Sequence, residues 1–472
     1  MSSARAGHPG TTSSGPEPGG RPAAEESPPA PQAGSAPART WSGLAVRYAP
    51  LIAAAAAMTV AGLWGLTRDS AMGNDEVVSR WAALLSLRQL AHLLRHVDAV
   101  HGLYYLLLHG WMVAGTSPTV MRVPSVIAMT AGAVLVAVIG RRLTGSGWAG
   151  LFAGLIMALT PSITYYAQTA RSYALVFACV MGLTLILLRA LAAERSGRPA
   201  MRWWVAYGAL LTVSSYLNEM AVLVLAAHAI TVLLARYGRR AVQHWAIASV
   251  AGAVPLAPLL LLSIHQHRAL GVIPRPGLHD LWVLYHDYFG ATIAAPILLV
   301  ACAVIAVLPP GTWWRRQRRA GRPEGAGQPL GTGADHGGLP GTTAEAGQPP
   351  GAAADPGWPL GTTTEAGQPL SGLAVPWWRG GVSLPSVAVP LLLVPAALLI
   401  LESLAGPPLY IDRYVLYGEA GVALLAGGGL YRIGQWLAAR LGPGRAAARR
   451  TLVWVPAAAV LVCTLFLQLT PL

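Results

Sequence analysis

Charge is scarce in this chain. Only 11% of its 472 residues are Asp, Glu, Lys or Arg, while 54% are hydrophobic; soluble domains typically carry roughly 25% charged residues. A water-facing surface for a chain this long cannot be built from that supply. A soluble enzyme, a soluble binding module and a disordered chain are excluded together, and a polytopic membrane protein remains. Lysine is absent, so all 33 basic residues are arginine, and asparagine occurs only as Asn74 and Asn218. Gaps of this kind reflect compositional bias, not chemistry. The three cysteines, Cys179, Cys302 and Cys463, each lie inside an apolar run with no ligand spacing between them. That excludes a disulfide framework and a cysteine metal site. The net charge is +14, but no basic–aromatic stripe is present, so nucleic acid is not expected as a partner. The arginines gather at the ends of apolar runs, the positive-inside pattern of a membrane protein.

Glycine (53) and proline (37) are plentiful, and they concentrate in two polar stretches. Residues 1–44 hold almost no large apolar side chain and read as a disordered tail, too long and polar for the start of a signal peptide. Residues 311–378 form a second such stretch. It contains Arg315, Arg316, Arg318 and Arg319, then AGQPLG at 326, AGQPPG at 346 and AGQPL at 366, a repeat of about twenty residues with no core face to stack. A flexible low-complexity linker is expected there, with a partner-binding segment as the alternative. The stretches divide the rest into a main transmembrane module, 45–310, and C-terminal transmembrane helices, 379–472.

Apolar runs lie near 47–67, 119–140, 148–164, 172–191, 203–217, 219–236, 242–263, 291–309, 383–401, 414–437 and 451–469. Barrel strands would alternate in and out over ~10 residues, and these runs do not. The expectation is an all-α bundle of about eleven or twelve spans. Arg39 and Arg47 place the N-terminus in the cytoplasm and the loop 68–100 outside. Arg141–Arg142 must then be separated from that loop by an odd number of crossings, yet two segments, 101–115 and 119–140, compete for the role. The loops near 164–171, 217–219, 264–290 and 404–414 share the face of 68–100 on this reading.

Four polar stretches on that face could carry chemistry. The first holds Asn74-Asp75-Glu76 and Arg80. Adjacent carboxylates beside a membrane suit a general base; the alternative is a helix start capped by Asn74, with Asp75 and Glu76 favoured by the dipole and Glu76 paired to Arg80 at i,i+4. Val77 to Arg95 then reads as one amphipathic interfacial helix. The second stretch is His101-Gly-Leu-Tyr104-Tyr105 through Trp111, either phosphate-binding or an interfacial belt; Arg122 downstream reads as a helix-end anchor. The third, Tyr165-Tyr166-Ala-Gln168-Thr-Ala-Arg171-Ser-Tyr173, offers donors suited to a phosphate and a sugar ring, or else a polar turn. Asp412-Arg413 and Glu419 form the fourth, as cavity-lining groups or a salt-bridge anchor. Glu219, beside Asn218, either lines the cavity or caps a helix. His265, His267, His279, Asp280, His286 and Asp287 lie in one loop, but His-x-His alone does not make a zinc site.

The order of these motifs carries more than any one of them. Asp75-Glu76, HGLYYLLLHGW at 101–111, RVPS at 122–125, YYAQTARSYAL at 165–175 and DRYVLY at 412–417 together resemble the GT-C membrane glycosyltransferases. The branch resembled is the bacterial family-39-like, protein-mannosyltransferase and aminoarabinose-transferase one. The likeness covers residues 45–240 well and 380–420 only through the Arg-Tyr motif. It departs at His101-Gly102-Leu103, often His-Pro-Pro, and at Thr169, often Glu. The resemblance implies a plasma-membrane enzyme that takes a sugar, mannose or another hexose or pentose, from a polyprenyl-phosphate donor. The sugar goes with inversion to an extracytoplasmic glycan, lipid or protein acceptor. It implies Asp75 as catalytic base with Glu76 beside it. His101, Tyr104, Tyr165, Tyr166, Gln168, Arg171, Tyr173 and Arg413 are then expected to bind substrate. No cofactor is required, since the phosphate donor is already activated; a divalent metal is compatible with this reading but not predicted. A transporter or flippase of lipid-linked sugars, or a non-catalytic homologue, would share the cavity without needing the base.

Overall fold

A computed structural model describes residues 41–67, 71–266, 294–307 and 381–440, with isolated positions at 276, 277, 279, 282, 455, 458 and 462. Residues 1–40, the linker, and most of the run 451–469 and of the histidine loop lie outside the described residues. The chain divides into two units, Met1–Ala45 and Val46–Leu472. Of the first only residues 41–45 are described, as the opening of a helix; every contact below belongs to the second.

All regular structure among the described residues is helical, and every expected run that falls within them is helix. In chain order the helices are α1 Trp41–Trp64, α2 Asn74–Leu84, α3 Leu87–His96, α4 Gly102–Trp111, α5 Pro118–Thr144, α6 Gly147–Leu159, α7 Pro161–Ala167 and α8 Tyr173–Arg195. Then come α9 Met201–Leu217, α10 Val224–Leu234, α11 Arg239–Ala253, α12 Ala257–Gln266, α13 Ala294–Val307, α14 Leu384–Ala405 and α15 Glu419–Arg440. A 3-10 turn, Asp412–Gly418, leads into α15. On length and composition, four described helices can cross a membrane: α5, α8, the joined α11–α12 and α14. The pair α6 and α7, bent by 69°, makes a fifth, and shorter apolar helices lie at 48–64, 219–234 and 297–307.

Local sequence sets the ends. Before α5, Ser117 accepts from the Val120 N–H and Pro118 occupies the first turn; Gly145 closes it with φ +72, a left-handed cap that glycine adopts without cost. The expected single helix over 77–95 is instead two. Leu85 is extended, and Ser86 restarts the chain as α3 by exchanging bonds with Gln89. Both pieces remain amphipathic: Leu90 is buried, while Trp81, Leu84 and Leu87 are exposed.

Small residues bring the central helices together. A side chain at Gly150 of α6 would run into the Ala137 carbonyl of α5, and one at Gly427 of α15 would sit 2.6 Å from the Ala153 nitrogen of α6. Close backbone approach of this kind is how helices associate where lipid supplies no hydrophobic drive. Around it lie the buried Met129, Phe152, Met157, Phe177 and Tyr207.

The crossing problem between 100 and 141 has a geometric answer. Helix α4 has 10 residues, about 15 Å at 1.5 Å per residue, half the ~30 Å of hydrocarbon. Only α5 can cross, so Arg141 and Arg142 lie at the opposite end of the bundle from the loop that holds Asp75.

Candidate active site

The bend between α6 and α7 builds the site. Pro161 starts α7 after an extended Thr160, and the chain from Tyr165 to Ser172 then runs beside α2. Both α2 and the turn Asp412–Gly418 reach the same place, so three segments far apart in sequence meet at one end of the bundle.

Helix α2 begins at Asn74, with Gly73 as its cap. The expected Asn74 cap is therefore one residue out of place. Asp75 and Glu76 do occupy the first turn, but their surroundings are opposite. Glu76 is buried and fully bonded. Arg122 grips it through Nε at 2.9 Å and Nη2 at 2.6 Å, and it accepts from the Ala170 N–H at 2.7 Å and the Gly73 N–H at 3.2 Å. Burial alone would raise its carboxyl; the bonds from Arg122 and the two backbone amides outweigh burial and hold it below the usual carboxylate range. Arg122 is thus the counter-ion of Glu76, not a helix-end anchor. Arg80, expected as the partner of Glu76, donates instead to the Thr116 carbonyl.

Asp75 stays open. Its side chain is 47% exposed, and its Oδ2 lies 3.7 Å from Arg171 Nη2 and 3.6 Å from Arg413 Nη2. These are ion-pair contacts longer than hydrogen bonds. Arg171 is buried; it also reaches Ser79 Oγ at 3.3 Å and His101 Nε2 at 3.2 Å. His101 must accept from a guanidinium there, so its proton sits on Nδ1. Burial, then Arg171 and Arg413, push it down to about 3, and it is neutral. Arg413 donates through Nε to the Tyr173 hydroxyl at 3.0 Å, and its guanidinium stands 5.8 Å from that ring. Tyr166 donates to Asp412 at 3.4 Å, and its ring meets Tyr173 edge-on at 5.5 Å.

Asp75, His101, Arg171, Tyr173 and Arg413 are therefore brought together, with Tyr166 beside Tyr173. Tyr104 is buried, its ring 6.2 Å from that of Tyr105. Gln168 points elsewhere, donating to the Ala61 carbonyl of α1 at 2.9 Å, and ties the loop to that helix. Tyr165 is 64% exposed. Glu219 accepts from Ser263 and Glu419 from Ser162. Sequence reasoning missed Ser79 and the role of Arg122. A signal for Arg122 existed, because an arginine one turn inside an apolar helix asks for a buried partner. Among the described residues no group of His, Cys, Asp and Glu is arranged to hold a metal.

Residues 101–262 match the family model of the dolichyl-phosphate-mannose-protein mannosyltransferases. Comparison with curated proteins gave no match, and comparison with solved structures gave none. The matched stretch contains His101, Arg122, Arg171 and Tyr173, while Asp75, Glu76 and Arg413 lie outside it and are joined to it by the fold. Over residues 101–262 the chain is thus similar to that mannosyltransferase family, the likeness that the motifs at 101–111 and 165–175 express.

Proposed function

We propose that the protein is an inverting glycosyltransferase of the GT-C kind that uses a polyprenyl-phosphate sugar, with Asp75 as general base. The observation that carries this is the half-exposed Asp75 carboxylate set between two arginines at the end of a membrane bundle. Without donor, Asp75 balances Arg171 and Arg413. A donor phosphate is a stronger, bidentate partner for guanidinium. Taking up both arginines, it frees the carboxylate for the acceptor hydroxyl. Asp75 then removes the hydroxyl proton while that oxygen forms its bond to the anomeric carbon. The bond from that carbon to the phosphate oxygen breaks, and polyprenyl phosphate leaves with the electron pair and one more negative charge. Arg171 and Arg413 stabilise that charge as it grows. Glu76 is a positioning residue: through Arg122 and the Ala170 N–H it locks α2 to the loop that carries Arg171. The tail of the donor lies in the bilayer, and the acceptor approaches from the extracytoplasmic side of the plasma membrane.

Asp75→Asn is expected to lower sugar transfer by about 10²–10⁴ in membranes supplied with polyprenyl-phosphate mannose, glucose, arabinose or galactose, at unchanged protein level. Full transfer by that variant refutes the base assignment. Donor turnover in the wild-type protein identifies the sugar.

A further inference from the structure

Helix α8 has 23 residues, about 34 Å. Tyr173, in the site above, is at its start, and Arg195 is at its end. Around Arg195 lies a cavity of ≈ 880 Å³ that also takes in Arg198, Arg236 and Arg240. None of these four makes an ion pair with a carboxylate among the described residues. The acidic group in the cavity wall, Glu194, is already bonded to Trp204 Nε1 at 3.0 Å and His244 Nδ1 at 2.6 Å. Glu194 also feels Arg240, but one carboxylate faces Arg195, Arg198, Arg236 and Arg240, so the cavity keeps an excess of positive charge.

Two helix starts add to it. Helices α9 and α11 begin at this cavity after Ala200 and Gly238, which offer no side-chain cap, and neither first turn contains an acid. Those first turns carry Arg202, Arg239 and Arg240 instead. Cations at a helix N-terminus oppose the dipole, and the free amides there are ready anion ligands. The wall is built to leave Arg195 in place. Gly381 adopts φ +97 and donates to the Ala235 carbonyl at 2.8 Å, and a Cβ there would come within 2.9 Å of Arg195 Nη1. Exposed Met201 lines the cavity, and Val205 of α9 and Leu233 of α10 are exposed on the helices that lead from it, apolar surface that a soluble anion would not need.

We infer that this cavity binds the phosphate of an anionic phospholipid headgroup, with the acyl chains lying along the exposed apolar faces of α9 and α10. Guanidinium groups and two helix starts line one cavity, and the site sits where the leaflet at the arginine-rich end supplies an anion. It lies a helix length from Asp75 and is separate from the donor site.

The test uses the purified full-length protein. It is titrated with phosphatidylglycerol or phosphatidylcholine, and retained lipid is counted by native mass spectrometry. Phosphatidylglycerol is expected to bind at least about tenfold more tightly. The combined Arg198→Gln, Arg236→Gln, Arg240→Gln variant is expected to lose that preference, while Arg88→Gln with Arg95→Gln on α3 keeps it. Thermal unfolding verifies that the triple variant is folded; if it is not, Arg236→Gln alone is expected to show a smaller loss of the same sign. Equal retention of the two lipids, or a preference that survives in the folded variant, overturns the inference. Displacement of phosphatidylglycerol by inorganic phosphate at millimolar concentration overturns the lipid assignment in favour of a soluble phosphate.

Discussion

Asp75 and Glu76 are neighbours, yet the first side chain is 47% exposed and the second 5%. Glu76→Gln leaves Arg122 buried without its counter-ion, and breaking a buried pair in this way costs about 3–5 kcal/mol. The expected result is a clear fall in melting temperature in detergent. Partial recovery is expected when Arg122→Met is added, because the buried charge is then removed as well. Asp75→Asn, at a half-exposed position whose ion-pair contacts are 3.6–3.7 Å long, is expected to lower melting less than Glu76→Gln. The acid limb follows from the same group. The folded carboxyl of Glu76 is held below its unfolded value, so its contribution is present above about pH 4.3 and is lost as pH falls through the folded value. His101 acts with the same sign: neutral when folded down to about 3, it takes up a proton on unfolding below about pH 6.5. Stability measured from pH 7 to 3 is expected to decline in the wild type, first through His101, and to decline less below about pH 4.3 in Glu76→Gln. A wild-type profile that is flat across that range sinks the burial argument for both groups.

At the scale of elements, the bundle depends on places where helices nearly touch. Gly427→Ala places a methyl group 2.6 Å from the Ala153 nitrogen, and α6 and α15 must separate to admit it, at about 1–3 kcal/mol. Gly110→Ala in α4 meets nothing within 4 Å and is expected to be neutral or stabilising by up to about 1 kcal/mol. Melting temperatures of the two variants should move apart; a fall of equal size in both removes the role assigned to close helix approach. The helices themselves were legible in the sequence, because an apolar run in lipid has no alternative to intrahelical bonding. Asp75 was legible because only 19 acidic residues are spread through the chain and this one follows the first span. The grip of Arg122 on Glu76 was not. It joins residues 46 apart in sequence, and an i,i+4 pair with Arg80 looked equally good on a helix drawn in isolation. The break at Leu85 was hidden for a related reason: the Ser86–Gln89 capping box lies inside a continuous amphipathic pattern, and periodicity alone does not see it. The bond from Gln168 to Ala61 was not legible, because an amide suits a sugar and a helix carbonyl alike and only the tertiary position of α1 brings that carbonyl within reach.

For the molecule as a whole, the two ends of α8 have opposite characters. One gathers Asp75, Arg171, Tyr173 and Arg413; the other gathers Arg195, Arg198, Arg236 and Arg240 with few acids. Because α4 is too short to cross, α5 carries the chain from the first end to Arg141 and Arg142, the bent α6–α7 pair returns it, and α8 crosses again. Arginine retention in the cytoplasm leads to the expectation that Arg198 lies inside and Arg88 of α3 outside. Both side chains are exposed, so each can be replaced by cysteine without disturbing the core, in a background lacking Cys179, Cys302 and Cys463. A membrane-impermeant maleimide is expected to label Arg88→Cys in right-side-out vesicles and Arg198→Cys only in inverted ones. Labelling of both from one side would make α4 a crossing segment or α5 a non-crossing one. The Asp75 site and the arginine cavity would then share a leaflet, and a donor entering from outside could no longer be separated from a lipid bound within.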